Sequence, residues 1–168
     1  MNQHSHIASA GTLTAGSQKL RAMNLERAGL LYARIALGSA FLSAVAGRFG
    51  LWHGTIDLRY FSNFLEYARE VLAFMPMASV PYLAWAATVC ETSLGILLLL
   101  GLWPRWVSLA SAGLLAMFGT SMAISQGLKS PLDYSVYSAS SAAVLLALAA
   151  FRQKNEQLFN RCVGEDSR

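Results

Sequence analysis

The sequence predicts an all-α integral membrane protein: a four-helix transmembrane bundle with an additional amphipathic interfacial helix in the first extracytoplasmic loop. Three observations predict it. Hydrophobic residues make up 55% of the 168 positions and charged ones 13%, roughly half the charged share of about 25% in soluble domains. The apolar residues gather in four long runs joined by mostly short polar turns. Finally, Lys and Arg cluster on one side of those runs, as in proteins oriented by the positive-inside rule.

The chain is too short for a second domain. Residues 1–27 read as a polar tail, rich in Ser, Thr and Gly, with no apolar stretch to order it. Its "HSH" (His4 to His6) supplies two histidines on that tail, which do not make a metal site. Residues 28–151 form the transmembrane domain and 152–168 a polar C-terminal tail.

The first span is "AGLLYARIALGSAFLSAVAG", residues 28–47. Arg34 lies near its start, where a long side chain snorkels to the interface. "AVA" at 44–46 resembles a signal-peptidase site, but the apolar run is long and its preceding tail extended, so a retained helix is expected. Ser39, Ser43 and Gly47 give it a small-residue ridge suited to close helix packing.

Residues 48–80 form the longest connection. In its second half Phe61, Phe64, Leu65, Ala68, Val71 and Leu72 share one helical face. Arg59, Asn63, Glu66, Arg69 and Glu70 occupy much of the other, so this segment is expected to lie along the membrane surface. Pro76 closes it and Pro81 opens the second span, 81–102. The turn "GLWPRW" places Trp103 and Trp106 at an interface. The third span, 106–128, carries no formal charge; "LKSPLD" makes the next turn, and 134–151 form the fourth span, with Tyr134 and Tyr137 in the aromatic belt.

Charge sets the orientation. Lys19, Arg21, Arg27, Arg34, Arg105, Arg152, Lys154 and Arg161 fall on the side of the termini; Arg48, Arg59, Arg69 and Lys129 fall on the other. Both termini are therefore expected in the cytoplasm. Because the basic residues are dispersed beside apolar runs, the net charge of +4 does not describe a nucleic-acid surface.

Glu91 is the residue that asks for a chemical reason. It stands near the middle of the second span and shares a face with Ala84, Thr88 and Gly95, all small or polar. A charged group in the hydrocarbon region costs roughly 2.5–3.5 kcal/mol on insertion scales, so it must be paired, protonated or turned to a cavity. Arg34 and Arg48 are the two candidate partners, at opposite ends of the first span, and the spacing does not choose between them. One reading makes the pair a lock between two helices; the other makes Glu91 a proton acceptor beside a bound quinone or similar small molecule. His53 just beyond the first span is able to exchange protons near neutrality, but equally serves as an interface residue beside Trp52. Asp133 is expected to cap the fourth helix, with substrate contact as its minor reading.

No paired histidines suit haem on any span, and there is no phosphate-binding or dinucleotide glycine fingerprint, no G-x-S-x-G and no C-x-x-C. Cys90 and Cys162 lie in unlike surroundings and read as two free thiols, so neither a zinc site nor a dithiol centre is expected.

An arginine opening the first helix, E-x-x-x-G-x-x-L-L-L-G-L-x-x-R from Glu91 to Arg105, and a final "SPLDYSVYSASSAAVLLAL" together resemble the DoxX family of small four-helix membrane proteins over residues 28–151. That resemblance implies an inner-membrane protein of a bacterium or archaeon. The family is similar to the small membrane subunit of thiosulfate:quinone oxidoreductase, and other members are associated with redox-stress systems. Arg34, Arg48 and Glu91 match its recurrent polar positions. The expected function is a membrane subunit of a quinone-linked redox system, with quinone as substrate and electrons from a partner protein. A non-catalytic assembly or anchoring protein, docked through residues 60–75, is the alternative. A small-solute transporter ranks last, since four short helices enclose little space.

Overall fold

The computed structural model describes residues 3–165. It is 85% helical, and no strand occurs among the described residues. Six helices follow in order: α1 (Gln3–Arg48), α2 (Leu58–Val71), α3 (Val80–Leu100), α4 (Pro104–Gln126), α5 (Lys129–Asp133) and α6 (Val136–Glu165), with a 3-10 turn at Leu51–His53 between α1 and α2. Four segments are long and apolar enough to cross a membrane: Arg21–Arg48, Val80–Leu100, Pro104–Gln126 and Val136–Leu158. The protein is thus an all-α membrane bundle, as the apolar runs predict.

The chain divides into two compact units, Met1–Tyr32 and Ala33–Arg168. The first is the N-terminal part of α1. This helix begins at Gln3 and runs without interruption past residue 27. A run such as "QKLRAMNLERA" holds neither Pro nor Gly and consists largely of strong helix formers, so nothing in it stops the helix. The side chains of "HSH" lie outside those described. At the other end, α6 runs to Glu165, and Arg152 and Glu156, one turn apart, pair along it.

Within the second unit, α4 and α6 make the most extensive helix–helix contact. Tyr137 of α6 packs its ring over Gly119 of α4, where an added Cβ would come within 2.9 Å of the ring. Tyr137 is therefore partly a packing residue as well as a belt residue. α1 and α3 approach closely at Gly38 and Gly95: each glycine faces a leucine of the other helix, Leu99 and Leu42. The packed face of α1 is Leu37, Gly38 and Phe41, all buried, whereas Ser39, Ser43 and Gly47 are exposed. The expected small-residue ridge lies one position off the true interface, which is a rotation of about 100° on a helix.

α2 is amphipathic as predicted, but its apolar face is covered by the bundle. Ala68 forms a small core with Val80 and Ala84, and Phe64, Leu65 and Leu72 pack against it. Asp57 caps the helix, accepting from the Arg59 backbone N–H at 2.9 Å. Arg59, Asn63, Glu66, Arg69 and Glu70 remain exposed on the other face. Trp103 and Trp106, exposed at the α3–α4 turn, fit the interfacial role expected of them.

Candidate functional site

α3 presents Val80, Ala84, Thr88, Glu91, Gly95 and Leu98 inward. The stripe read from the sequence is thus the buried face, and Glu91 is 2% exposed on it. Its partner is Arg48. The Arg48 Nη2 donates to Glu91 Oε1 at 2.7 Å, and Nη1 donates to Thr88 Oγ1 at 3.0 Å. Thr88 in turn donates back to the Ala84 carbonyl at 2.8 Å, which fixes its lone pairs toward the arginine. One face of the guanidinium lies on the Phe64 ring, 3.9 Å from its centroid, a cation–π contact that brings α2 into the site. Phe61 of α2 stacks on Phe49 and lies 4.4 Å from Trp85 of α3, so three elements hold the arginine in one place.

The pair is not complete. Glu91 Oε2 is buried and has no hydrogen-bond partner. Buried carboxylate oxygens are rarely left so, since an unsatisfied one costs about 1–3 kcal/mol or more. Glu91 and Arg48 both line an open cavity of about 900 Å³. Its remaining wall is almost wholly apolar, with Leu37 and Phe41 of α1, Phe64 of α2 and Leu115 of α4 among its residues. Size and lining match those of small-molecule sites, where a few placed polar groups sit in an apolar enclosure. Tyr67 and Tyr134 line its solvent-exposed side. Burial, then the neighbouring Tyr134 and Glu70, push the Tyr67 phenol above its usual 10.0, so it stays a hydrogen-bond donor at physiological pH. Cys90, next to Glu91, also lines the cavity and is a free thiol.

The other sequence candidates lie elsewhere. Arg34 packs its guanidinium against Gly101, where an added Cβ would meet Nη1 at 2.6 Å. Gly101 terminates α3 in a left-handed conformation (φ 72°), so Arg34 sits at the negative end of that helix dipole. At 1.5 Å per residue this is about 15 Å along the helix from Glu91. His53 is exposed and stacks on Tyr60, ring centroids 5.0 Å apart, and does not line the cavity. Asp133 does not cap the fourth span. It ends the short α5, pairs with Lys129 one turn back, and is separated from α6 by Tyr134 and Ser135. Ser135 adopts a positive φ of 53°, and this sharp turn gives α6 its start. Tyr67 and Cys90 carried no motif in the sequence; only the folding of α2 over α3 and α4 gathers them.

No set of three or more His, Cys, Asp or Glu suited to a metal occurs among the described residues. Comparison with known proteins adds one positive finding. The family model described as DoxX matches residues 29–124, more than half the chain. No curated protein and no solved structure gave a match. The first span's arginine pair, the Glu91–Arg105 stretch and most of α4 fall inside the matched region, and the chain belongs to the DoxX family.

Proposed function

We propose that this protein is a membrane subunit of a quinone-linked redox system, in the inner membrane of a bacterium or archaeon with both termini cytoplasmic. The observation that carries the reading is the Arg48–Glu91 ion pair, with one carboxylate oxygen unpartnered, on the wall of an apolar cavity open among membrane-spanning helices. A lipophilic ring fits such a wall, and its polar edge is met by the pair. Reduction of a quinone to hydroquinone takes up two electrons and two protons. The electrons come from a partner protein, because the sequence has no motif for a carrier. Glu91 takes up and passes on a proton, and Arg48 holds the carboxylate in position and balances its charge.

The test is twofold. Purification in mild detergent followed by mass spectrometry of bound lipids and proteins should recover enriched quinone and a stoichiometric redox partner. Glu91→Gln, which keeps size and one acceptor, should lower quinone-linked turnover at least tenfold at unchanged membrane insertion. Full turnover in that variant removes Glu91 from the mechanism, and a preparation with bulk phospholipid alone removes the quinone.

The exposed charged face of α2 favours a second, non-catalytic reading, an assembly protein that docks another subunit. Replacing Glu66 and Arg69 with alanine should then release that subunit while Glu91→Gln leaves it bound.

A further inference from the structure

We infer that the cavity selects a ligand presenting a hydrogen-bond donor, a hydroxyl on an otherwise apolar ring, over the same ring bearing acceptors only. The inference rests on the reading above and names which form of the carrier the ion pair holds: the reduced, dihydroxy form.

Arg48 carries five N–H donors, of which two are taken, by Glu91 Oε1 and Thr88 Oγ1; the others can meet a ring oxygen of either form, carbonyl or hydroxyl, and so do not distinguish the two. Phe64 covers one face of the guanidinium. Thr88 spends its own proton on the Ala84 carbonyl. The buried atom of the pair left with no partner at all is an acceptor, Glu91 Oε2, on a side chain that is 2% exposed. An acceptor-only ring brings no donor to Oε2 and leaves it as it was. A ring hydroxyl satisfies it with a charge-assisted bond, and such bonds are the stronger class. The cavity's length of apolar wall, from Leu37 and Leu72 to Met122, accommodates an alkyl tail that adds affinity without distinguishing the two forms.

The chain carries its own reporter. Cys90 lines the cavity beside Glu91, and Cys162 is the only other cysteine. The experiment uses the full chain with Cys162→Ser, in lipid nanodiscs under anaerobic conditions, and follows alkylation of Cys90 by a membrane-permeant maleimide. Three probes with fully substituted rings and a decyl tail are titrated: a hydroquinone, its bis-methyl ether and the parent quinone. The ether keeps ring and tail but has no donor. The expected result is half-protection of Cys90 at a hydroquinone concentration about tenfold or more below that needed for the ether or the quinone. In Glu91→Gln the carboxamide offers both donor and acceptor, so that ratio should fall toward one. Equal protection by hydroquinone and ether overturns the inference while leaving the cavity as a ligand site. If none of the three protects Cys90, the quinone-linked reading fails and this inference with it.

Discussion

Replacing Arg48 with methionine gives the sharpest energetic test of the site. Methionine keeps most of the length and apolar stem but removes the guanidinium. Three interactions go with it: the 2.7 Å bond to Glu91, the 3.0 Å bond to Thr88 and the contact with Phe64. Glu91, 2% exposed and already with one open oxygen, would then have no partner on either. Breaking a buried pair from one side costs roughly 3–5 kcal/mol. The Arg48 side chain is itself 12% exposed, which places the expected loss near the lower end, about 3 kcal/mol. That is more than a hundredfold in the unfolding equilibrium. Removing both charges, as Arg48→Met with Glu91→Leu, should recover most of the loss and bring stability within about 1 kcal/mol of the starting protein. Reversible unfolding in mixed micelles, followed by tryptophan fluorescence, reads this directly, because Trp85 lies against Phe61 at the α2–α3 contact. A single variant as stable as the parent, or a double variant as weak as the single, would refute the idea that a buried ion pair joins α1 to α3.

Two further perturbations probe other parts of the bundle. Gly38→Ala should destabilise by about 1–3 kcal/mol, because its Cβ would approach the Gly95 carbonyl oxygen to 3.0 Å, a backbone atom with little freedom to yield. Gly113→Ala meets nothing within 4 Å and should be neutral or gain up to about 1 kcal/mol; if the two variants behave alike in the same micelle titration, α1 and α3 do not approach as described. Asp57 is held below its ordinary 3.8, first by the Arg59 backbone N–H and then by the Arg59 side chain. Since the folded pKa is the lower one, its support of the α2 start is fully present above 3.8 and lost as pH falls through the folded value. Exchange of the Arg59 amide should therefore be slower than in Asp57→Ala at pH 5–7, and no slower in strong acid. Equal exchange at neutral pH would show that the cap does not hold.

What could be read from the sequence follows the physics of each feature. Spans are set by apolar length, a property summed over some twenty residues, so their existence survives local error. The inward stripe of α3 was legible because helical period alone puts Ala84, Thr88, Glu91 and Gly95 on one side, and a carboxylate among leucines has only one low-energy direction to face. Helix ends were less legible, because hydropathy says where a chain leaves the lipid and not where a helix ends, and α1 and α6 both extend into polar sequence. The packed face of α1 was misplaced for a related reason. Small residues mark where close approach is allowed, and Gly38 and Ser39 both allow it; the bulk of Leu99 and Leu42 on and across from α3 decides which one is used.

The choice of partner for Glu91 is the instructive case, because both arginines carry the same charge and sit on the same helix. Gly101 draws Arg34 to the end of α3: a residue without a side chain leaves room for the guanidinium, and the unpaired carbonyl end of the helix attracts it. Arg48 meets Phe64 from α2, a residue sixteen positions further on, and that ring closes over it only because Ala68 and Leu72 bury their face against Val80 and Ala84. The amphipathic helix after the first span is thus what selects Arg48 as the partner. The same packing leaves Tyr67 and the unpartnered oxygen of Glu91 on the wall of one cavity, so the element that locks the pair also builds the site around it.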